Sequence, residues 1–160
     1  MANSSDSADN NMEGCVMLAL SAFRKSEKAV DAAMEKSRKV KKLMVVYVAD
    51  VNLARYLVDV EYGLIPGLKE TCESDMLQQY EKTGREHAAK IADRAKKEGI
   101  EVRAHVQIGR FAIVCLDVVQ KEKPSLVVTT RSKRPEWVRK FFGSPVDELI
   151  AKAGCPVIVV

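Results

Sequence analysis

The sequence lacks the features that mark metal-binding and membrane-spanning proteins. Its four cysteines lie 40 or more residues apart and form neither a CxxC pair nor a cysteine and histidine cluster with zinc-ligand spacing. Apolar runs such as residues 16–20 are far shorter than the roughly 20 residues that a membrane span requires. We therefore predict no metal site, four free thiols and no membrane contact.

A strong net charge and a secretory leader are also missing. The formal charge is only +4 at pH 7, and Lys and Arg are mixed with Asp and Glu along most of the helical segments. The first residues are polar and acidic, without the basic start and the apolar stretch of a secretory signal. These features predict a cytoplasmic protein and argue against nucleic acid as its partner.

No catalytic constellation is visible in the sequence. His87 and His105 lie 18 residues apart, and the chain carries no G-x-S-x-G nucleophile motif. No pair of carboxylates stands out as an acid and a base. Ser144 directly precedes Pro145, so we interpret it as a helix cap and not as a nucleophile. We predict that the chain is not an enzyme and needs no cofactor.

The composition is that of one globular domain. The chain has 160 residues, of which 47% are hydrophobic and 30% are charged, enough to bury a core without forming two domains. Residues 1–12 are small and polar with almost nothing to bury. We predict a flexible tail over residues 1–12 and a single domain over residues 13–160.

Strand and helix patterns alternate along this domain. Continuous apolar runs, typical of parallel strands covered on both faces, occupy residues 15–20, 43–48 and 126–130. Two further strands are predicted over residues 100–108 and 156–160. Helical spacing follows Ser26 and recurs over residues 69–98, 111–121 and 144–153. The order predicts an α/β fold, a doubly wound, Rossmann-like sheet of five parallel strands with helices on both faces.

Two segments do not fit the pattern cleanly. Residues 49–67 show no clear period and contain Gly63, Pro66 and Gly67, which predicts either a long connection or a poorly ordered insertion. Gly84 interrupts the longest helical segment and marks a potential weak point.

The last quarter of the chain carries a recognisable arrangement of motifs. After the strand at residues 126–130 come a basic loop, Gly143-Ser144, a helix, Cys155-Pro156 and a terminal apolar strand. Gly109 follows the third strand, and Ser26-Glu27-Lys28-Ala29 opens the first helix. In order and spacing, residues 14–160 resemble the universal stress protein family. The resemblance implies the adenine nucleotide alpha hydrolase-like fold of that family.

The nucleotide motif of that family, G-x-x-G followed nine residues later by Gly and Ser or Thr, is incomplete here. The resemblance places it at Thr130, Lys133, Gly143 and Ser144, so both earlier glycines are replaced. Ser21 stands where the family has an acidic residue. Glycines allow backbone to approach a phosphate closely at a helix N-terminus. We therefore expect a degenerate site at the family's nucleotide-binding positions, which are Ser21, Thr130, Arg131, Lys133, Gly143, Ser144 and Pro145.

Two alternatives remain open. Arg131, Lys133 and Arg134 would supply positive charge if the chain binds ATP or AMP and acts as a nucleotide-dependent switch. The loop of residues 131–140 also carries five cations around Trp137, a combination used by proteins that bind single-stranded nucleic acid.

The terminal strand predicts a homodimer. An apolar strand at a sheet edge favours pairing with another chain, and the resemblance implies dimerisation through this last strand. The expected interface residues are Pro156, Val157, Ile158, Val159 and Val160. The expected function is that of a homodimeric, non-catalytic stress-response or regulatory module.

Overall fold

The fold is a five-stranded parallel sheet with helices on both faces, as the sequence predicts. A computed structural model describes residues 11–22, 24–62, 68–132 and 143–160. The strands run in the spatial order β3-β2-β1-β4-β5, and every neighbouring pair is parallel. In chain order the elements are β1 (Val16–Ser21), α1 (Glu27–Val40), β2 (Lys42–Asp50), α2 (Val51–Tyr62), α3 (Leu68–Lys97), β3 (Glu101–Gly109), α4 (Phe111–Glu122), β4 (Leu126–Thr129), α5 (Pro145–Lys152) and β5 (Val157–Val159).

The central strand β1 separates two hydrophobic cores. Its residues alternate, so Met17 and Ala19 face the core beneath α4 and α5, whereas Val16 and Leu18 face the core beneath α1 and α3. All six residues of β1 are buried. This burial on both faces explains why the strand appears in the sequence as a continuous apolar run. No helix in the described part of the chain is long and apolar enough to cross a membrane.

Helix α1 begins and ends as its sequence predicts. The Oγ atom of Ser26 accepts a hydrogen bond from the backbone N–H of Ala29 at 3.4 Å and so caps the first turn. The predicted inward-facing positions are all buried, namely Ala29, Val30, Ala33, Met34 and Ser37. The helix ends at Lys41, which adopts a left-handed conformation with φ of 62°.

The expectation of a long connection over residues 49–67 is wrong for most of that segment. Strand β2 continues to Asp50, and helix α2 starts at the next residue. A carboxylate oxygen of Asp50 accepts a hydrogen bond from the backbone N–H of Asn52 at 3.0 Å, which satisfies a free donor of the first turn. Helix α2 buries the side chains of Leu53, Ala54 and Val58. Residues 63–67 lie outside the described residues.

The proposed boundary of the N-terminal tail also needs correction. Met12 was assigned to the tail, but its side chain is buried in the core beneath α4 and α5. Its carbonyl accepts a hydrogen bond from the N–H of Cys15 at 3.0 Å, and Gly14 donates to the carbonyl of Lys123. The chain is therefore part of the fold by Met12, whereas residues 1–10 lie outside the described residues.

Gly84 allows a close contact and is not a weak point of α3. It is buried above the ring of Tyr47 on β2, and a methyl group at this position would overlap the ring atoms. The Tyr47 ring is itself fully buried, and it meets His87 edge-on with the ring centroids 6.4 Å apart. Among the residues that the structure describes, none forms a hydrogen bond with the Tyr47 hydroxyl. Helix α3 can pack this closely on the sheet only because residue 84 lacks a side chain.

Helix α3 covers the sheet with only its second half. Ala88, Ile91 and Ala95 are buried, as is Gly84, whereas none of residues 71–83 is buried. The first half packs against α2 instead. An ion pair between Arg55 and Glu73, at 3.6 Å, joins these two helices.

The contact between Gly84 and Tyr47 predicts the sign of a substitution. In an exposed helix interior, replacing glycine by alanine stabilises by about 1 kcal/mol. Here we expect Gly84→Ala to lower the free energy of unfolding by about 1–3 kcal/mol, because overpacking against the ring outweighs helix propensity. Urea denaturation measures the difference. In a Tyr47→Leu background the same substitution should be neutral or stabilising, and an unchanged loss there would contradict the contact.

The buried Tyr47 hydroxyl predicts a loss of stability at alkaline pH. Burial raises the pKa of Tyr47 from 10.0 to about 12. Since the unfolded chain loses this proton first, the contribution of Tyr47 is complete below pH 10 and is lost as the pH rises through 12. Urea unfolding of the wild type and of Tyr47→Phe should give the same pH dependence below about pH 10 and diverge as the pH rises from 10 towards 12, with the variant less sensitive. Identical pH dependence of the two proteins would contradict the burial of this hydroxyl.

Candidate functional site

A cavity of about 610 Å³ lies at the carboxyl edge of the sheet. Its walls come from the end of β2, the first turns of α2, and the starts of α4 and α5. Small-molecule sites have volumes of about 300–1,000 Å³. In open parallel sheets, ligands bind at this edge, beyond the carboxyl ends of the strands. Both the size and the position of the cavity are those of a ligand site.

Charges of both signs line the cavity. Arg55 and Arg110 supply cations, whereas Asp50 and Glu148 supply carboxylates. Helices α2, α4 and α5 all begin at the cavity wall, and the N-terminus of a helix carries a partial positive charge. Two cations and two carboxylates balance in the wall, so the three helix N-termini are what favours an anionic group over a cationic one.

The start of α5 is organised by Ser144, as the sequence predicts. Its Oγ atom accepts a hydrogen bond from the backbone N–H of Asp147 at 3.3 Å, and Pro145 occupies the first turn. Gly143, just before the cap, has a φ of 71°, a left-handed conformation that favours glycine. Gly143, Ser144 and Pro145 all line the cavity.

Arg131 is held at the same helix start. One guanidinium nitrogen donates to Ser144 Oγ at 3.2 Å, and another donates to an Asp147 carboxylate oxygen at 2.8 Å. The pair is solvent-exposed, with 41% of the Arg131 side chain and 62% of the Asp147 side chain accessible. Arg131 is therefore engaged with protein groups and is not part of the cavity wall.

The remaining predicted site residues do not reach the cavity in the described structure. Ser21, at the end of β1, is buried, and its Oγ atom has no hydrogen-bond partner. The hydroxyl of Thr130 donates to the carbonyl of Val160 at 2.7 Å, beyond the carboxyl ends of β4 and β5. Lys133 and the rest of the basic loop up to residue 142 lie outside the described residues. Of the seven predicted site residues, three therefore line the cavity and three are buried or hydrogen-bonded outside it. The seventh is Lys133.

The sequence-based site lacks nine of the twelve residues that line the cavity, among them Asp50, Arg55, Tyr56 and Arg110. Two of them had a signal, since Asp50 directly follows the apolar run of β2 and Arg110 follows Gly109 after β3. Polar residues just after parallel strands collect at the carboxyl edge. Arg55 and Tyr56 had no such signal, because helix α2 itself was not predicted.

Comparison with solved structures supports the fold. Universal stress protein UspA from Lactobacillus plantarum superposes with a TM-score of 0.66 at 16% identity, covering 92% of this chain and 98% of that one. A universal stress protein family protein from Arabidopsis thaliana, solved with AMP bound, has a TM-score of 0.56 at 14% identity, covering 91% of this chain and 90% of that one. A universal stress protein in complex with cAMP has a TM-score of 0.57 at 14% identity, covering 92% and 97%. At these identities the likeness establishes the fold alone.

Sequence comparisons give the family. No curated protein sequence matches the chain. The family model described as the universal stress protein family matches residues 15–160, which is the whole of the folded domain apart from its first few residues. The chain therefore belongs to the universal stress protein family.

Proposed function

We propose that this protein is a homodimeric, non-catalytic regulatory module of the stress response, whose nucleotide site does not bind ATP in the family manner. The free thiols of all four cysteines fit a reducing, cytoplasmic location. Two places in the fold support this proposal. They are the hydrogen-bonded start of α5 and the end of β1.

The pairing of Arg131 with Asp147 carries the proposal. A phosphate bound at the N-terminus of α5 would have to take Arg131 from a carboxylate that it contacts at 2.8 Å. An exposed pair of this kind contributes at most about 1 kcal/mol, so it is not a strong barrier by itself. However, the displaced Asp147 carboxylate would remain beside the phosphate and repel it. The backbone N–H of Asp147, a donor that a phosphate at this helix start would otherwise bind, already donates to Ser144 Oγ.

The end of β1 offers no replacement for the missing acidic residue. Ser21 is 1% exposed and does not line the cavity. Thr130, at the first replaced glycine, donates its hydroxyl to Val160 and so faces the neighbouring strand end. These two positions support the loss of the contacts that the family resemblance implies.

The alternative function is that of an ATP- or AMP-binding switch. The 610 Å³ cavity favours it, because Arg55, Arg110 and three helix N-termini lie around one space. Related solved structures contain AMP or cAMP. In this alternative Arg55 and Arg110, which the family motif does not include, would hold the nucleotide together with the start of α5.

Isothermal titration of nucleotide-stripped protein separates the two functions. We expect neither ATP with Mg²⁺ nor AMP to bind measurably at about 1 mM, a concentration that corresponds to roughly −4 kcal/mol. We also expect no nucleotide in mass spectra of the purified protein. Circular dichroism of the same sample confirms that it is folded.

Micromolar binding would contradict the proposed function. In that event Arg110→Ala should abolish binding if the cavity is the site. The matched control is Arg85→Ala, which removes an exposed arginine paired with Glu81 on α3, away from the cavity.

Dimerisation through β5 forms part of the same proposal. Strand β5 lies at one end of the sheet and pairs with β4 on its inner side. Val157 and Val159 pack against the core beneath α4 and α5, whereas Ile158 lies between them on the opposite face and is half-buried. A second copy related by a twofold axis would pair its own β5 with this edge and cover Ile158.

The proposed interface predicts the effect of a charge on β5. We expect Ile158→Lys to convert the dimer into a folded monomer, because a lysine on an edge strand opposes strand pairing. Size-exclusion chromatography with light scattering measures the mass. The control is Ile150→Lys on α5, where the native side chain is already 44% exposed. A monomeric wild type, or a dimeric Ile158→Lys variant, would contradict the interface.

A further inference from the structure

Strand β3 forms the edge of the sheet at the end opposite to β5. Its nine residues pair with β2 in one unbroken register, which runs from Glu101 opposite Lys42 to Gly109 opposite Asp50. Natural sheets usually protect such an edge with devices that include a short strand, a proline, a lysine or a bulge. Strand β3 has none of these devices. It therefore presents a long and regular edge for pairing with a further strand.

Every second residue of β3 points its backbone polar groups away from the sheet. The N–H of Glu101 donates to the carbonyl of Lys41 at 2.9 Å, on the β2 side. Because these groups alternate in direction along a strand, the odd-numbered residues bond to β2 and the even-numbered ones face outward. The outward-facing residues are Val102, Ala104, Val106 and Ile108. In the part of the chain that the structure describes, their N–H and C=O groups make no backbone hydrogen bond.

The outward-facing residues also border a groove between β3 and α3. Their side chains share the sheet face that α3 covers, since Val102 and Val106 pack against the core on that side. Ala104 is exposed, and Ile108 is 39% exposed. The groove has a volume of about 300 Å³ and is lined by Arg85, Ala88, Ala89, Ala104 and Val106. Since three of these five residues are alanines, the groove leaves room for aliphatic side chains of an added strand.

Both faces of this edge carry an exposed cation. The Arg103 guanidinium points to the face opposite the groove, where it lies 3.7 Å from the Glu122 carboxylate, and 34% of its side chain is exposed. Opposite charges on neighbouring strands attract each other, so a carboxylate on an added strand would be stabilised beside Arg103. On the groove side, Arg85 is 65% exposed and pairs with Glu81 of its own helix. The edge therefore favours an acidic strand over a basic one.

We propose that the free edge of β3 and the groove beside it bind an extended segment of a partner protein in which aliphatic and acidic residues alternate. The backbone of this segment bonds to the outward-facing groups of β3, its aliphatic side chains enter the groove, and its carboxylates face Arg103. Recognition by strand addition takes its affinity from main-chain hydrogen bonds and its specificity from alternate side chains. The inference rests on the proposed function, because a non-catalytic regulatory module has to act through a partner.

A second copy of this chain is a poorer occupant of the edge. Antiparallel pairing of two β3 strands over their full length would place each His105 opposite its counterpart and each Arg103 opposite Gln107. No opposite charges would then meet on that face. The two grooves would adjoin, and each of them contains an Arg85. Because a second copy brings the same charges, the edge is better matched by a partner that supplies carboxylates.

A synthetic heptapeptide tests the proposal. Glutamate alternates with valine in this peptide, both of its ends are blocked, and it carries a fluorescent label. Fluorescence anisotropy measures its binding to the full chain. We expect saturable binding with a dissociation constant of about 100 μM. The same peptide with lysine in place of glutamate should not bind. No saturable binding of the glutamate peptide at about 1 mM protein overturns the proposal.

A proline at residue 104 distinguishes strand addition from non-specific binding. Because the N–H of Ala104 faces away from β2, Ala104→Pro removes no hydrogen bond of the sheet but takes away an outward donor. We expect this variant to lose at least about tenfold in peptide affinity. The matched control, Ala104→Ser, keeps the N–H and should bind as the wild type does. A folded Ala104→Pro variant with wild-type affinity overturns the proposal.

A second measurement uses the wild-type protein and so does not depend on the folding of a variant. One version of the peptide is methylated on the backbone nitrogens of its valines, and another on those of its glutamates. Only every second residue of an added strand points its N–H towards β3. One version should therefore lose binding while the other keeps it, the valine set in antiparallel pairing and the glutamate set in parallel pairing. Equal affinities of the two versions overturn the proposal.

The proposed function and this surface fail in different measurements. Micromolar nucleotide binding contradicts the proposed function but leaves peptide binding at β3 unchanged. Ile158→Lys alters the other edge of the sheet and should also leave the peptide affinity unchanged. A loss of affinity in Ile158→Lys would assign the peptide to β5 and overturn the proposal. A lower mass of Ala104→Pro than of the wild type in light scattering would show that β3 pairs two copies, and this result too overturns it.

Discussion

Burial of the central strand β1 on both faces is the constraint on which the rest of the structure depends. Each residue of β1 faces one of two cores, and the neighbouring strands β2 and β4 pair with it in parallel. Parallel strands require crossover connections, so the helices must return over one face or the other. The starts of α2, α4 and α5 then meet at the carboxyl edge. The candidate site is thus a consequence of how the core is built.

The polar groups at this edge are mostly engaged with one another. Arg131 pairs with Asp147, Ser144 caps α5, and Asp50 accepts from the first turn of α2. Such interactions satisfy the free donors at helix starts that a bound anion would otherwise satisfy. The carboxyl edge therefore holds a cavity whose own side chains already make several of the contacts that an anion would need.

The elements that could be predicted from sequence are those whose pattern is set by local burial. Strands covered on both faces appear as apolar runs, and Ser26 and Ser144 mark helix starts through bonds to residues three positions later. Helix α2 was missed because its sequence shows no clear helical period and is followed by Gly63, Pro66 and Gly67. The contact of the Arg24 guanidinium with the Phe111 ring, at 4.7 Å, joins residues that lie 87 positions apart, and no local pattern reveals such a contact. The same holds for Gly84, whose role is visible only once Tyr47 lies beneath it.

Helix α3 has 30 residues and so extends about 45 Å, but its packing on the sheet begins only at Gly84. The half that precedes Gly84 contacts α2 and contributes no fully buried residue among residues 71–83. Surface substitutions away from packed contacts usually change stability by less than about 0.5 kcal/mol. The exposed positions of α3 before Gly84 can therefore differ between related proteins, while the sheet beneath the second half of the helix stays intact. Related chains with the same core can in this way present different surfaces at one end of the molecule.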